Sequence, residues 1–428
     1  MSYSLITSTG SSAVCILLLL LPAISSSSLL ANARSATVEL TLLTEAAGSK
    51  GAVCLDGTPP GYYWRQGQGT ALKKWIIHQE GGGWCFSDED CLTRSRTRLG
   101  SSKYFAPNKT FLHAGFLADD CQTNPVFCDY NVVYMPYCDG GSFSGNREKP
   151  LVVNGTSLYM RGKRILDAVF DTFSEQLGEA EELILTGCSA GGLATYLHAD
   201  YPVETKRIPS TCKYAVLADA GYFIDGLSQN GQRAERTRML YVVQSQNLTS
   251  GMNQKCVAAM SEADQWKCFF AQYSVPYISS PIFALQSLYD YNQLKTVLHL
   301  PCIPPKCSAS EYQIFLNWRT TFLKAFSPIL NRTVSTGIFS DACVAHCQSV
   351  ADAHWDNYVV RGQRAHETFA AWYFDQPGKL PQVVDCAYPC NHNCTARHTL
   401  QQDEELSDHY SYNYMYDVEP GLDDDNKP

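Results

Sequence analysis

A serine flanked by glycines, placed between a strand-like run and a helix start, constrains the fold of this chain more than any other feature. The motif is Gly187-Cys188-Ser189-Ala190-Gly191. Residues 182–186 form a short apolar stretch before it, and residues 192–199 after it have the composition of a helix start. A serine on so sharp a turn has its hydroxyl pushed out at the top of a sheet. Small neighbours let the backbone turn and a substrate approach, and the helix N-terminus favours developing negative charge.

The strand and the helix on either side predict a serine hydrolase with a nucleophile elbow of the α/β-hydrolase type, in which Ser189 is the nucleophile. A Gly-rich structural turn is the alternative interpretation. The bare G-x-S-x-G pattern arises by chance in about one chain in ten of this length. The flanking strand and helix make chance a poorer explanation, so the elbow is favoured.

Strand-like runs alternate with helical patterns along residues 37–400, without an obvious linker. Such alternation predicts one α/β catalytic domain of the α/β-hydrolase type, with a mostly parallel sheet covered by helices on both faces. Residues 227–280 break the rhythm, so we interpret them as a cap-like insertion over the sheet that helps to bind substrate. A helix with apolar residues at 3.6-residue spacing is expected over residues 165–177. The strand-like runs are residues 74–78, 131–135, 182–185, 214–217 and 281–285.

The N-terminus has the pattern of a secretory signal. Residues 13–21 form an apolar core that is closed by Pro22 and followed by a Ser-rich stretch. Because this core is too short to span a bilayer comfortably, we predict a signal peptide over residues 1–28. Residues 1–12 contain no Lys or Arg, so an uncleaved signal anchor remains the alternative. No other segment approaches 18 apolar residues, and we expect no stable membrane insertion after signal removal.

Cysteine usage favours secretion to the extracellular space or cell wall. The chain has 18 Cys, and Cys15 lies in the predicted signal, which leaves an odd number in the body. Close spacing beside a signal sequence favours disulfides over zinc sites. We predict Cys188 as the unpaired cysteine, because the residue beside an elbow nucleophile points into the packed interface of sheet and helix. Five N-glycosylation sequons fit the same compartment, at Asn108, Asn154, Asn247, Asn331 and Asn393.

The negative charge is concentrated at the C-terminus. The formal net charge is −9, and residues 401–428 hold nine acids and one base, so the body is close to neutral. Without a basic patch, nucleic acid is set aside as a partner. The tail is acidic and Tyr-rich without periodicity, and we predict that residues 401–428 are disordered.

An elbow serine needs an acid that orients a catalytic base. In this fold the acid and then the base follow the serine along the chain, each on a loop after a strand. Two acids, Asp219 and Asp290, follow strands downstream of Ser189. Position favours Asp290, because the acid usually lies on the later loop. Asp219 is then expected to be a structural or pocket residue.

The base is expected among the histidines after Asp290. His346 closely follows the strand-like run 334–339, and Cys343 and Cys347 are placed to hold its loop by disulfides. His354, beside Trp355, is the competing candidate. A metal site built on the two cysteines and His346 is set aside for lack of further ligands.

Two segments are expected to form the oxyanion hole. One donor is the backbone N–H of Ala190, directly after the nucleophile. The other lies in the loop Glu80-Gly81-Gly82-Gly83-Trp84-Cys85, which follows a predicted strand. Three glycines let the backbone turn its amides toward an approaching carbonyl oxygen. A flexible Gly-rich turn is the alternative.

Seven segments carry a resemblance to a known family. Residues 80–85, 187–192, 219–223, 288–290 and 343–348 occur in the order seen in the pectin acetylesterases, a family that also contains the Notum carboxylesterases, and residues 53–60 and 136–141 look like its plant-type branch. The similarity covers roughly residues 37–395. It implies Ser189 as nucleophile, Asp290 as orienting acid and His346 as base, so it selects His346 over His354. It also implies an oxyanion hole from Gly83, Trp84 and Ala190.

The expected function is that of a secreted serine carboxylesterase that hydrolyses acetyl esters of pectin, an acetylated polysaccharide, without a metal or an organic cofactor. A Notum-like deacylase that removes a fatty acyl group from a secreted protein is the second hypothesis, because the same catalytic residues serve both substrates. A catalytically silent glycan-binding protein is the third. The acidic tail is not part of the family pattern.

Overall fold

The computed structural model describes residues 37–112 and 114–394. The predicted signal peptide, residues 1–28, and the predicted disordered tail, residues 401–428, lie outside the described residues. Within the described ranges, no helix is both long and apolar enough to cross a membrane.

Strands and helices alternate along much of the described chain. The strands are β1 (Thr37–Leu42), β2 (Gly61–Arg65), β3 (Lys74–Gln79), β4 (Asn108–Thr110), β5 (Asn131–Met135), β6 (Leu151–Val153), β7 (Thr156–Leu158), β8 (Glu182–Cys188), β9 (Lys213–Asp219), β10 (Ile282–Leu285), β11 (Thr336–Ser340), β12 (Val359–Val360), β13 (Gln363–Arg364) and β14 (Gln382–Val384). The α-helices are α1 (Thr44–Lys50), α2 (Asp88–Arg94), α3 (Gly162–Thr172), α4 (Ser174–Leu177), α5 (Ala190–Leu197), α6 (Tyr201–Glu204), α7 (Ala234–Gln246), α8 (Gln254–Ala259), α9 (Ala271–Ser274), α10 (Tyr291–Thr296), α11 (Ala309–Leu330), α12 (Asp352–Asn357) and α13 (Ala365–Tyr373).

Ten strands form one sheet in the order β14-β11-β10-β9-β8-β3-β5-β2-β1-β4. The seven strands from β14 to β5 in this order run parallel, and β2, β1 and β4 add an antiparallel edge. The prediction of a mostly parallel α/β sheet is therefore confirmed. Gln79 pairs with Gly187, and Cys188 pairs with Asp219, so β3, β8 and β9 end at the same level. The loops that follow these strands consequently meet at one edge of the sheet.

Both faces of the central parallel strands are buried, as their apolar sequences require. Successive side chains of a strand point to opposite faces. On β3, Ile77 packs into one apolar cluster and Ile76 into a second cluster. Helices α3 and α5 contribute to the first cluster, and α13 contributes Phe369 to the second.

The predicted strand positions agree with the structure, but β3, β8 and β9 extend beyond their predicted runs, β8 and β9 the most. β8 continues to Cys188 and β9 to Asp219, because the ladder between these two strands persists beyond the apolar residues. The predicted helix over residues 165–177 is present as α3 and α4, which are separated at Phe173.

The segment between β9 and β10 contains the interval 227–280 that we interpret as an insertion. It is largely helical and contains α7, α8 and α9 together with a 3₁₀ segment over Glu262–Phe269. A disulfide between Cys256 and Cys268 closes part of it. Its role as a substrate-binding cap stays a prediction.

Eight disulfides link sixteen of the described cysteines, and the pairing corrects one prediction. Cys188 is bonded to Cys347, and Cys212 is the unpaired cysteine of the described residues. The prediction was wrong because the loop after β11 crosses the end of β8 and brings the two Cα atoms to 5.4 Å. The other pairs are Cys54–Cys138, Cys85–Cys91, Cys121–Cys128, Cys256–Cys268, Cys302–Cys307, Cys343–Cys394 and Cys386–Cys390.

The contact between α5 and β3 predicts that Gly191→Ala is strongly destabilising. A Cβ at residue 191 would collide with the backbone carbonyl of Gln79. We expect the free energy of unfolding to fall by about 3 kcal/mol or more, because backbone must shift to admit the methyl group. Urea unfolding measures this change.

The matched control is Gly48→Ala in α1, where a Cβ meets nothing within 4 Å. This variant should be as stable as the wild type or more stable by up to about 1 kcal/mol, because alanine favours a helix over glycine. Equal stability of Gly191→Ala and the wild type contradicts the packing argument.

Candidate active site

Ser189 stands at the turn between β8 and α5 in a strained backbone conformation. Its φ is 58° and its ψ is −122°, and its backbone N–H donates to the carbonyl of Asp219 at 3.0 Å. A non-glycine residue in such a conformation costs on the order of 1–3 kcal/mol and persists only where its surroundings enforce it. The side chain retains some access to solvent, since the residue is 9% exposed.

The glycines of the motif allow three backbone segments to touch around Ser189. A Cβ at Gly187 would overlap the backbone of Gly191, and one at Gly192 would overlap the carbonyl of Asp219. A Cβ at Gly81 would lie 2.8 Å from the Cβ of Ser189. The Gly-rich loop after β3 is therefore in direct contact with the predicted nucleophile.

Asp290 and His346 come together at the same edge of the sheet. Nδ1 of His346 lies 2.7 Å from Oδ2 of Asp290, whose side chain is fully buried. Asp290 also caps α10, since its Oδ1 accepts the N–H of Gln293 at 3.0 Å, and Gln286 donates to Oδ2 at 3.3 Å. These donors fix the direction of the carboxylate.

The contact with Asp290 has a chemical consequence for the imidazole of His346. When Nδ1 donates to the carboxylate, the neutral ring leaves Nε2 as an acceptor. Such a nitrogen is able to remove a proton from a hydroxyl. The other candidate, His354, lies on α12, where it is fully buried and stacks on Tyr358 with ring centroids 4.9 Å apart. The structure thus brings His346, and not His354, onto the carboxylate of Asp290.

Asp219, the other candidate acid, is used differently. Its Oδ2 accepts the backbone N–H of Ser349 at 2.6 Å and the hydroxyl of Ser349 at 2.7 Å. Burial raises the pKa of Asp219 to about 6, although the hydrogen bonds from Ser349 and the nearby His346 oppose the rise. Asp219 therefore holds the far end of the loop that carries His346.

Hydrogen bonds to the carbonyls of the Gly-rich loop fix the direction of its backbone amides. Gly82 O accepts a hydrogen bond from Arg94 at 2.6 Å, and Gly83 O accepts one from the hydroxyl of Tyr137 at 2.9 Å. In a trans peptide the N–H points away from the carbonyl of the same unit. The N–H groups of Gly83 and Trp84 therefore point away from Arg94 and Tyr137. Positive φ angles at Gly82 and Gly83, 144° and 66°, permit this turn.

A hydrogen-bond chain joins this loop to the elbow. Nε1 of Trp84 donates to Oγ of Ser142 at 2.7 Å, and that hydroxyl donates to the carbonyl of Ala190 at 2.7 Å. Ala190 is the first residue of α5, so its N–H has no acceptor within the helix. The amides of Gly83, Trp84 and Ala190 are thereby held on rigid supports.

Sequence reasoning missed the side chains that hold the Gly-rich loop, namely Arg94, Tyr137 and Ser142. Tyr137 lies within one of the motifs of the family resemblance, but no pattern marked its role. Glu80 is a further support, because its buried carboxylate accepts hydrogen bonds from Tyr134 at 2.8 Å and from the N–H of Tyr137 at 2.8 Å. Burial disfavours its charge, but nearby Arg98 and Lys109 with these donors hold the pKa of Glu80 below its usual value.

Aromatic side chains surround the site. The ring of Trp84 meets Phe223 edge-on at 4.9 Å and Phe269 at 6.2 Å. The ring of Phe223 lies 6.4 Å from that of His346. Phe269 belongs to the interval 227–280, so this interval packs against the aromatic wall that Trp84 and Phe223 form beside the site. Such apolar walls limit water around the polar groups and strengthen their electrostatic interactions.

Cys188, His346 and Cys347 bring two sulfurs and a ring nitrogen within 4.8 Å, a spacing that also suits a metal ion. The two sulfurs are bonded to each other, so they are not available as thiolate ligands. One imidazole is then the sole donor of this group.

In comparisons with known proteins, a first group of relatives consists of pectin acetylesterases. The family model described as pectinacetylesterase matches residues 31–395. Pectin acetylesterase 5 of Arabidopsis thaliana is 34% identical over 368 residues, which cover 82% of this chain and 84% of that protein. Pectin acetylesterase 7 of the same plant is 35% identical and covers 84% and 93%.

A second group of relatives consists of proteins named Notum. The palmitoleoyl-protein carboxylesterase NOTUM of Schmidtea mediterranea is 30% identical over 348 residues, covering 77% of this chain and 62% of that protein. The crystal structure of the Wnt deacylase Notum from Drosophila superposes with a TM-score of 0.73 at 23% identity, covering 84% of this chain and all of that one. This likeness establishes the fold.

The raised pKa of Asp219 predicts a pH dependence of stability that an Asp219→Asn variant lacks. Its folded-state pKa of about 6 lies above the ordinary value of 3.8, so the folded chain binds a proton more tightly between these values. By linkage, the wild type should gain stability relative to the variant as the pH falls from above 6 to about 4, by roughly 1–3 kcal/mol. Urea unfolding at several pH values measures both stabilities, and a wild type that becomes more stable relative to the variant as the pH rises contradicts the assignment.

Proposed function

Because this chain belongs to the pectinacetylesterase family, we propose that it is a secreted serine carboxylesterase that hydrolyses acetyl esters of pectin. Family membership makes it a carboxylic ester hydrolase. Pectin is proposed as the substrate because the pectin acetylesterases align at 33–35% identity, whereas the palmitoleoyl-protein carboxylesterases align at 25–30%.

One contact carries the proposed mechanism, the 2.7 Å hydrogen bond between His346 and Asp290. It joins the loop after β11 to the loop after β10, at the sheet edge where β8 ends at the Ser189 turn. In open α/β sheets, ligands bind outside the carboxyl ends of the strands. A nucleophile, a base and an orienting acid at this edge match the requirements for acyl transfer.

In the proposed reaction, Nε2 of His346 removes the proton from the Ser189 hydroxyl as the oxygen attacks the ester carbonyl. Asp290 keeps the imidazole in the tautomer with Nδ1 protonated. The protonated ring then returns the proton to the sugar oxygen, which leaves. Water, activated by the same imidazole, hydrolyses the acyl-enzyme and releases acetate.

The negative oxygen of each tetrahedral intermediate is proposed to bind the N–H groups of Gly83, Trp84 and Ala190. Each donor of this kind typically contributes about 3 kcal/mol of transition-state stabilisation. The bonded carbonyls of Gly82 and Gly83 support this role, because they keep the amides directed before substrate binds. Apart from the substrate and water, the proposed steps use groups of the protein.

Secretion to the extracellular space or cell wall is supported by the eight disulfides of the described residues. Disulfides persist in oxidising compartments and are rare in a reducing cytosol. The predicted signal over residues 1–28 and the sequons support the same location.

The substrate proposal predicts acetate release from acetylated pectin by the purified protein. Simple acetyl esters should be cleaved faster than medium- and long-chain fatty acyl esters, and Ser189→Ala should abolish both activities. A coupled acetate assay and a series of chromogenic esters measure these rates. A strong preference for long acyl chains moves the substrate to a lipidated protein, and a lack of turnover with any ester leaves a glycan-binding function.

The acid assignment predicts unequal effects of two isosteric substitutions. Asp290→Asn should lower kcat by about 10³- to 10⁴-fold, because an amide at this position favours the wrong imidazole tautomer. Asp219→Asn should cause a much smaller loss, since the carboxylate of Asp219 accepts its hydrogen bonds from Ser349. Steady-state kinetics with an acetyl ester compare them. An inactive Asp219→Asn beside a fully active Asp290→Asn reverses the assignment.

A further inference from the structure

The loop that carries His346 begins far from the serine with which it is proposed to react. In the sheet, β11 is separated from β8 by β10 and β9. With neighbouring strands about 4.8 Å apart, this separation is roughly 14 Å. The loop over residues 341–349 must therefore run back across the ends of two strands to bring His346 to Ser189.

Polar contacts hold the loop at the two intermediate strands. After β10, Asp290 binds the imidazole of His346, and the N–H of Tyr291 donates to the carbonyl of Ala345 at 3.2 Å. At the end of β9, Asp219 accepts both hydrogen bonds from Ser349. These contacts set the direction of the loop, but they join it to β9 and β10 and not to the strand of the nucleophile.

The disulfide between Cys188 and Cys347 joins the loop to β8 itself. Cys188 directly precedes Ser189, and Cys347 directly follows His346, at a sequence separation of 159. None of the other seven disulfides among the described residues joins these two segments. The bond therefore ties the neighbours of the proposed nucleophile and of the proposed base.

Backbone strain lies at one end of this bond and directly beside the other. Cys347 has a φ of 62°, and Ser189, the residue after Cys188, has a φ of 58°; neither is a glycine. Such conformations cost on the order of 1–3 kcal/mol each and require surroundings that enforce them. A covalent bond from Cys347 to Cys188 is an enforcing element of this kind. Released from it, the turn after His346 has a lower-energy conformation available.

We propose that the Cys188–Cys347 disulfide is a positioning element of the esterase reaction, which fixes the distance between the Ser189 hydroxyl and the His346 imidazole. The inference rests on the proposed function, since it assigns the disulfide a role in the Ser189–His346 proton transfer. It predicts that breaking the bond slows catalysis more than it weakens substrate binding, because the oxyanion loop and the aromatic wall lie on other elements.

The direct test is the double variant Cys188→Ala/Cys347→Ala, which avoids leaving a lone thiol. The matched control, Cys121→Ala/Cys128→Ala, also removes two cysteines and one disulfide. We expect kcat of the test variant to fall about 10- to 100-fold with KM little changed, which is the effect of small misplacements of reacting groups. The labelling rate of Ser189 by an organophosphonate should fall by the same factor, and the control should keep both rates.

Both variants are compared well below their melting temperatures, with folding checked by near-UV circular dichroism. A folded test variant with wild-type kcat overturns the positioning role, while an inactive Ser189→Ala alongside it leaves the proposed function intact. If Ser189→Ala is active, the proposed function itself fails.

A second measurement applies if the double variant does not fold. Cys347 is partly exposed, whereas Cys188 is 4% exposed, so a reductant has access from the Cys347 side. Native protein is reduced in steps by a water-soluble phosphine, which is oxidised to the phosphine oxide as each disulfide becomes two thiols. Alkylation and peptide mapping give the fraction opened at each pair.

Activity should fall in proportion to the opening of the Cys188–Cys347 pair, and reoxidation of unalkylated samples should restore it. Full activity with this pair completely opened overturns the inference.

Discussion

The close approach of backbone at the carboxyl ends of β3, β8 and β9 is the constraint on which the rest of the site depends. Gly187, Gly191 and Gly192 have no Cβ, and this lets the start of α5 lie against the carbonyls of Gln79 and Asp219. Any side chain there would push the helix away from the sheet. The same approach holds Ser189 in its strained conformation and brings the start of α5 against the Gly-rich loop, since a Cβ at Gly191 would also lie 2.8 Å from the carbonyl of Glu80. Packing of glycines thus determines where the polar chemistry can occur.

Around this glycine contact, buried polar groups direct the backbone. Arg94 and Tyr137 bind the carbonyls of Gly82 and Gly83, so the amides of the following residues face the other way. These supports are themselves buried and bonded, as the contact of Tyr137 with Glu80 shows. A preorganised donor of this kind does not have to reorient when charge develops. The cost of ordering these groups is met during folding and not during the reaction.

Features that depend on neighbouring residues could be predicted from the sequence. Features that depend on contacts between distant segments could not. β5 matched residue for residue, and Ser189 and the Gly-rich loop were found because strained or crowded backbone leaves glycine in the sequence. The roles of Arg94 and Ser142 had no such trace, because their contacts with carbonyls depend on tertiary structure. The partner of Cys188 was missed for the same reason, since it depends on the path of a loop that starts three strands away.

Chain order ranked Asp290 above Asp219 as the candidate acid without giving a physical reason. The contacts of the two buried carboxylates supply that reason. Asp219 ends the strand next to β8, so its carbonyl is already bonded to the N–H of Ser189. Its carboxylate meets the hydrogen-bond donors of Ser349, beyond the imidazole. Asp290 lies one strand further away, and a loop returning from β11 reaches it first. In the proposed triad, the acid that binds His346 is therefore the one nearer to β11, and the acid beside β8 holds the end of the same loop.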